Sequence, residues 1–345
     1  HALRVRTETG VSNLRLFSVG ALPQVNEAEP NNDFAAPQAI ALNTTVCGVV
    51  QSEDVDYFVV EAKQGQRITA ELEGLRLGNT FFDPYVAILN EKRFELVRSD
   101  DAALLKQDCL CSLIAPEDGK YIVQVRESAY QGDGASKYRL HVGTFPRPTA
   151  VLPAGGKPGE TLEVVWIGDA AGERKEQVTL PEIAAAEGSL LPADEQGIAP
   201  SANGVRLVDL PNAMEVEPNN AVAEATPASA PGALNGVIGA AGDTDFFKFT
   251  AKKGDRYDIR VFAREVLRTP LDPVLVVRNA QGGGVASNDD NGGSPDSYLQ
   301  FTSPADGDYF VEVRDHLKSG GPDYAYRVEI AAVQPRLSFS LPEKV

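Results

Sequence analysis

Glu27-Ala28-Glu29-Pro30-Asn31-Asn32 recurs as Glu215-Val216-Glu217-Pro218-Asn219-Asn220, 188 positions further on. The residues that follow recur as well. Asp54-Val55-Asp56-Tyr57-Phe58 returns as Asp243-Thr244-Asp245-Phe246-Phe247, Asp83-Pro84 as Asp272-Pro273, and Tyr138-Arg139 as Tyr326-Arg327. Asp118-Gly119-Lys120-Tyr121 returns as Asp306-Gly307-Asp308-Tyr309. A register held at 188 or 189 positions over about 120 residues is a duplicated domain, not compositional chance. Whatever the chain does, it does with a module used twice.

The texture within each copy is β. Runs of Val, Ile, Tyr, Phe and Leu alternate with polar residues and stop at Gly, Pro, Asn or Asp. Tyr57–Glu61, Arg67–Leu72, Tyr85–Leu89, Tyr121–Val125 and Tyr138–Val142 read as strands, matched by Phe246–Phe249, Tyr257–Phe262, Val274–Val277, Tyr309–Val313 and Tyr326–Ile330. Gly65 and Gly254 mark turns at matching places. So many short strands in each copy imply a sandwich. The expected fold class is all-β: two β-sandwiches, at 23–145 and 213–333, separated by a small immunoglobulin-like spacer at 146–212. The spacer carries an alternating strand, Thr161–Ile167, with the only tryptophan, Trp166; Ile183–Glu187 is its one mildly helical stretch. Residues 1–22 read as the closing strands of an earlier spacer, because Ser18–Pro23 precedes the first acidic segment as Arg206–Pro211 precedes the second. Residues 334–345 read as the start of a following spacer, since Pro335-Arg336 echoes Pro146-Arg147. The expected whole is a spacer–module array cut from a longer chain.

The formal charge of −17 makes phosphate backbones poor partners and suits cations or simple solubility. No apolar run is long enough to span a membrane as a helix. The three cysteines, Cys47, Cys109 and Cys111, all lie in the first copy. Cys109 and Cys111 share one face of a strand. Small core residues, a disulfide from Cys47 to one of them, or a metal site all remain open.

Catalytic templates fail. His141 falls mid-strand and Glu329 takes its place in the second copy; His316 is likewise unmatched. No nucleophile elbow, zinc helix, P-loop or dinucleotide fingerprint is present, and the chain is expected not to be an enzyme. The polar residues that do repeat are oxygen donors: Glu27, Glu29, Asn31, Asp54 and Asp56, answered by Glu215, Glu217, Asn219, Asp243 and Asp245. Calcium takes six to eight oxygens and needs several carboxylates. Glu-x-Glu on an extended segment presents both carboxylates on one face, and the following proline fixes the backbone. The competing reading is structural: Glu-Pro-Asn-Asn makes a turn and Asp caps a loop. A further acidic set, Asp100, Asp101 and Asp108 with Asp289, Asp290 and Asp296, reads as a solvated hairpin or a second ion site.

Through E-x-E-P-N-N, D-x-D-Y/F-F, D-P and D-G-x-Y, in that order, the repeat resembles the bacterial pre-peptidase C-terminal domain, over Glu27–Val142 and Glu215–Ile330. The family is similar to the collagen-binding domains of clostridial collagenases. The resemblance implies a jelly-roll-like sandwich carried by secreted peptidases and other exported proteins. It implies calcium held by Glu27, Glu29, Asn31, Asp56 and Asp54 and by their counterparts. Asn32 and Asn220 stand where the family has Asp, which removes one negative charge from each site. The spacer resembles units between such domains in large exported planctomycete-type proteins. The function implied is a calcium-stabilised structural or adhesion module, secreted or at the cell surface. Its partners would be neighbouring domains of the same longer chain, or an extracellular polysaccharide or protein. The alternative is a substrate-targeting domain beside a hydrolase.

Overall fold

The computed structural model describes residues 2–78 and 80–333. The expectation placed on 334–345 lies outside the described residues. Within the first copy ten strands follow in order: β1 Gln24–Asn26, β2 Gln38–Ala39, β3 Thr44–Val49, β4 Asp56–Ala62, β5 Arg67–Glu73, β6 Pro84–Asn90, β7 Glu95–Ser99, β8 Cys109–Ile114, β9 Gly119–Glu127 and β10 Lys137–Gly143. They form two five-stranded sheets, ordered β7-β6-β9-β4-β2 and β8-β5-β10-β3-β1. The second copy supplies β11 Asn212–Met214, β12 Thr226–Pro227, β13 Gly232–Val237, β14 Thr244–Ala251, β15 Arg256–Phe262, β16 Pro273–Asn279, β17 Gly284–Asn288, β18 Tyr298–Thr302, β19 Gly307–Asp315 and β20 Ala325–Ala332. Its sheets run β17-β16-β19-β14-β12 and β18-β15-β20-β13-β11, the same order with every number raised by ten.

The alternation seen in the sequence becomes two faces. Phe58 and Val60 of β4, Ile68 and Leu72 of β5, Val86 and Ile88 of β6, Val123 of β9 and Leu140 of β10 belong to one buried cluster fed by both sheets. Phe247, Ile259, Leu275, Val311 and Val328 do the same in the second copy. Burying a side chain of this size stabilises by about 1.5–3 kcal/mol, which is why these positions hold large apolar residues in both copies.

Most pairings are antiparallel. The first two strands of each copy are the exception: β1 runs parallel to β3 and β2 parallel to β4, as do β11 with β13 and β12 with β14. The acidic segment therefore leaves one sheet and joins the other, crossing between them. That crossing places Glu27–Asn32 and Glu215–Asn220 where both sheets can reach them.

Cys109 and Cys111 are buried in the core, and all three cysteines are free. Cys109 Sγ donates to Pro84 O at 2.7 Å and Asp100 O at 3.0 Å. Ser297, its counterpart, donates its hydroxyl to Pro273 O at 2.5 Å and Asn288 O at 3.1 Å. The position thus tethers two neighbouring segments in both copies, and the core reading of these cysteines holds over the disulfide. The expected helical stretch Ile183–Glu187 is not a helix; it bends and enters a strand, Glu187–Leu190. Five residues rich in alanine are too few to nucleate a helix without tertiary support.

The chain divides into two compact units. Among the described residues, one holds 2–151 with Val165–Glu176 and Ser189–Gly204; the other holds Leu152–Val164, Gln177–Gly188 and 205–333. The linking residues are therefore shared out. In the first unit, Arg147 Nε donates to Glu71 Oε2 at 2.6 Å with both side chains fully buried. Arg76 adds a contact from Nη2 to Glu71 Oε1 at 3.2 Å, and Ser201 also donates to that oxygen. Arg67 pairs with Asp169 at 2.8 Å and with Asp194. In the second unit Arg206 and Arg327 both bind Glu329, through contacts of 3.0 Å each.

Candidate functional site

Each acidic segment is pinned by its own side chains. Glu27 N donates to Cys47 O at 3.0 Å, and Glu27 Oε2 accepts from Val49 N at 2.9 Å. Glu29 Oε2 accepts from Asn31 N at 2.9 Å, and Asn31 O accepts from Tyr57 N at 3.0 Å. The second copy repeats the scheme. Glu215 N donates to Asn235 O at 3.0 Å, Val237 N to Glu215 Oε1 at 2.8 Å, Asn219 N to Glu217 Oε2 at 2.8 Å, and Phe246 N to Asn219 O at 3.0 Å. Both Glu–Pro peptide bonds, Glu29–Pro30 and Glu217–Pro218, are cis.

These contacts turn three carboxylates toward one point. One oxygen each from Glu27, Glu29 and Asp56 lies within 4.8 Å of the other two, and Glu215, Glu217 and Asp245 form the same group. Asp56 opens β4, Asp245 is the second residue of β14, and both are fully buried; Glu27 and Glu215 are half-buried; Glu29 and Glu217 are exposed. Asn31 and Asn219 are buried beside them. Asp54 and Asp243 lie outside the 4.8 Å grouping and act on the adjoining loops. Asp54 Oδ2 accepts from Gln51 N at 3.1 Å, and Asp243 accepts from Gly239 N at 2.7 Å and Thr244 N at 2.9 Å. The turn-and-cap reading fits these two aspartates; the ligand reading fits the other carboxylates.

A tyrosine from the opposite sheet completes each group. Tyr138 Oη of β10 donates to Asp56 Oδ2 at 2.7 Å and lies 3.0 Å from Glu27 Oε1. Tyr326 Oη of β20 donates to Asp245 Oδ2 at 2.5 Å. The ring passes over a glycine in the neighbouring strand. A Cβ on Gly48 would fall 2.3 Å from Tyr138 Cζ, and one on Gly236 would fall 2.2 Å from Glu215 Oε2 and 2.5 Å from Tyr326 Oη. The candidate ligand set read from the sequence omits this tyrosine. Its signal was there, in the recurrence of Tyr138-Arg139 as Tyr326-Arg327 and of Gly48 as Gly236.

Converging carboxylates repel and are costly to bury as anions. Burial, then the neighbouring Glu27, pushes Asp56 up to about 9. Burial, then Asp245, pushes Glu215 up to about 9, and burial raises Asp245 to about 7 against the pull of the Tyr326 hydrogen bond. Each pair therefore disfavours two bare anions and retains a proton above the ordinary carboxylate range. Oxygens bound at about 2.4 Å to one calcium ion lie within about 4.8 Å of each other, so the spacing fits. Glu215 Oε2, Asp245 Oδ1 and Asn219 Oδ1 are buried and receive no hydrogen bond from the described residues. Buried oxygens normally find donors, so these three fit a hard cation held by Glu215, Glu217, Asp245 and Asn219.

The second acidic set resolves differently. Asp108 is buried and accepts from Gly74 N at 3.0 Å, Leu75 N at 2.7 Å and Arg76 Nε at 2.5 Å. Asp296 is buried and accepts from the backbone of Ala263, Arg264 and Glu265 at 2.8–3.1 Å. Both fasten loops from inside, and neither is part of a solvated hairpin. His141 is buried with Nδ1 2.8 Å from the Thr45 hydroxyl, a strand residue as expected, and His316 sits 3.2 Å from Asp289 in a loop.

Residues 243–315 match the bacterial pre-peptidase C-terminal domain family. Over 121 residues the chain is 43% identical to a probable subtilase-type serine protease of Deinococcus radiodurans; the match covers 34% of this chain and 16% of that relative's length. Among solved structures it is similar to the pre-peptidase C-terminal domain of a collagenase from Bacillus anthracis, with 18% identity and a TM-score of 0.26 over 34% of this chain and 99% of that one. It is also similar to PliG, a periplasmic inhibitor of g-type lysozyme from Aeromonas hydrophila, with 19% identity and a TM-score of 0.22 over 30% of this chain and 96% of that one.

Proposed function

We propose that the chain is a non-catalytic, calcium-stabilised accessory segment of an exported bacterial protein. In this reading both copies are jelly-roll-like pre-peptidase C-terminal sandwiches, and immunoglobulin-like linking units join them to their neighbours. The observation that carries it is the convergence of three carboxylates at each acidic segment. Calcium would be held by Glu27, Glu29 and Asp56, with Asn31, and by Glu215, Glu217 and Asp245, with Asn219. Bound there, it ties the strand leaving the linking unit to the sandwich that follows and stiffens the join.

The match to the family at residues 243–315 and the likeness to a subtilase-type protease support reading the segment as an accessory to an exported hydrolase or a similar exported domain. No helix among the described residues is long and apolar enough to cross a membrane. Targeting of a polysaccharide or fibrous protein has less support: among the described residues the large exposed aromatics Phe17, Phe81, Phe94 and Tyr130 sit outside the strands and not in a row along one sheet. Glycan arrays and collagen pull-downs separate the two readings, since a specific saturable ligand would favour targeting.

The direct test is a thermal melt in calcium and in chelator. A ligand at a hundredfold excess over its dissociation constant adds about 2.7 kcal/mol to stability, so a rise of several degrees is expected. Equal melting curves would leave only the turn-and-cap reading.

A further inference from the structure

The two acidic groups share one backbone scheme and differ in how their oxygens are used. In each copy the first glutamate accepts one backbone N–H: Glu27 Oε2 from Val49 N at 2.9 Å, Glu215 Oε1 from Val237 N at 2.8 Å. In each copy a tyrosine donates to the buried aspartate, Tyr138 to Asp56 and Tyr326 to Asp245. In each copy the glutamate and the aspartate also lie near enough to share a proton. None of these contacts separates the copies.

The asparagine does. Asn31 turns its amide nitrogen to the group: Nδ2 donates to Glu27 Oε1 at 3.4 Å, and Tyr138 Oη lies 3.0 Å from the same oxygen. Both oxygens of Glu27 are therefore engaged, and it is the nitrogen of Asn31, not its oxygen, that faces the carboxylate. Asn219 is 0% exposed and makes no such contact; its Nδ2 and Oδ1 are buried and have no hydrogen-bond partner among the described residues. Glu215 Oε2 and Asp245 Oδ1 likewise receive no N–H or O–H from any other residue described. Buried polar atoms are almost always bonded, and an unpaired one carries the full cost of its desolvation. An open recess of about 590 Å³, lined in part by Glu217, Asn220, Asp243 and Thr244, adjoins this second group. Water can enter there to complete the six to eight oxygens that calcium takes.

We propose that the two groups fill in order, the second copy first, and that the Asn31 amide is the latch that sets the order. Calcium settles on Glu215, Glu217, Asp245 and Asn219 at concentrations that leave Glu27, Glu29, Asp56 and Asn31 closed on themselves. The inference rests on the calcium reading proposed above and adds to it the residue that makes the sites unequal. In the second copy the cation meets oxygens with no side-chain donor to give up beyond the tyrosine common to both. In the first it must displace the Asn31 amide from Glu27 and turn it so that Oδ1 faces inward. A hydrogen bond to a charged group is worth about tenfold in a binding constant, and a gap of that order is expected. At limiting calcium the second sandwich is then stiffened at its acidic segment while the first is not.

The intact chain carries matched reporters, because Val49 N and Val237 N each bond the first glutamate of a group. Calcium chloride is titrated into isotopically labelled, chelator-stripped protein. NMR follows the backbone signals of Val49 and Val237 and the side-chain NH2 signals of Asn31 and Asn219. Val237 should reach its midpoint at about one-tenth of the calcium concentration that moves Val49. The Asn31 NH2 signals should move together with Val49. Two variants separate the latch from simple charge. Asn31→Asp and Asn219→Asp each add one carboxylate, but only Asn31→Asp also removes the N–H that holds Glu27. Asn31→Asp should therefore tighten its own site by about threefold more than Asn219→Asp tightens the other. Coincident midpoints, Val49 leading Val237, or equal gains in the two variants would overturn the ordering and leave the calcium reading standing. Signals that calcium does not move at either group would overturn both.

Discussion

The hydroxyl of Tyr138 donates to Asp56 Oδ2 at 2.7 Å, joining β10 of one sheet to β4 of the other at the point where the acidic segment crosses between them. Tyr326 and Asp245 repeat the link at 2.5 Å. The bond fixes the carboxylate that Glu27 approaches in the first copy and Glu215 in the second, so the tyrosine positions each group without needing to touch an ion.

Removing that hydroxyl should therefore weaken both stability and the response to calcium. A hydrogen bond to a charged or buried group contributes about 1.5–3 kcal/mol, and Tyr138→Phe or Tyr326→Phe should cost about that much in chelator. Denaturant unfolding of each variant, with and without calcium, reads both effects. A variant as stable as the parent would mean that the link is incidental.

Gly48 and Gly236 are expected to tolerate no side chain, because a Cβ would meet the tyrosine at 2.3–2.5 Å. Overpacking of this kind costs about 1–3 kcal/mol. Gly236→Ala should also displace Glu215 Oε2, which the new methyl would meet at 2.2 Å. The measurement is the calcium-induced rise in melting temperature, which should shrink in Gly236→Ala.

The raised carboxyls fix the sign of the pH dependence. Asp56 moves from 3.8 to about 9 and Glu215 from 4.5 to about 9 on folding. The folded state keeps protons that the unfolded chain has already released, so this stabilisation is complete below about pH 4 and lost as pH rises toward 9. Chelated protein should melt at progressively lower temperature from pH 5 to pH 9. Calcium must displace those protons, so its stabilising increment should grow over the same range. Scanning calorimetry across that range checks both trends; an increment that falls with pH would contradict them.

Glu71 and Arg147 make a second, cation-independent test. Burial alone would raise Glu71, but the charges of Arg147 and Arg76 outweigh it and hold the carboxyl below its ordinary value. Breaking a buried pair by removing one partner costs about 3–5 kcal/mol. Arg147→Met should destabilise the first unit by that order in calcium and chelator alike, as read by unfolding curves. An effect that calcium rescues would tie this pair to the acidic site instead.

Much of the fold was legible because each copy corroborated the other. The strands around Tyr57, Arg67, Tyr85, Tyr121 and Tyr138 fall where alternation put them. Thr44–Val49 and Gly232–Val237 were missed: their polar and glycine residues, Thr44, Thr45, Gly48, Asn235 and Gly236, break the apolar pattern. Those residues are there to pass the tyrosine and to meet the linking segment. The Glu-x-Glu carboxylates and Asp56 and Asp245 were legible as a group, whereas Asp54 and Asp243 share their repeat but serve the loops. Recurrence marks what a fold needs and does not separate a ligand from a cap. Asp108 and Asp296 carry the same lesson, since only burial shows that they fasten loops.

Calorimetric titration of calcium into chelator-stripped protein bears most directly on the central claim. Saturable binding at both acidic groups is expected, with Asp56→Asn abolishing one and Asp245→Asn the other. A flat titration of the intact chain, or binding unchanged in both variants, would contradict it.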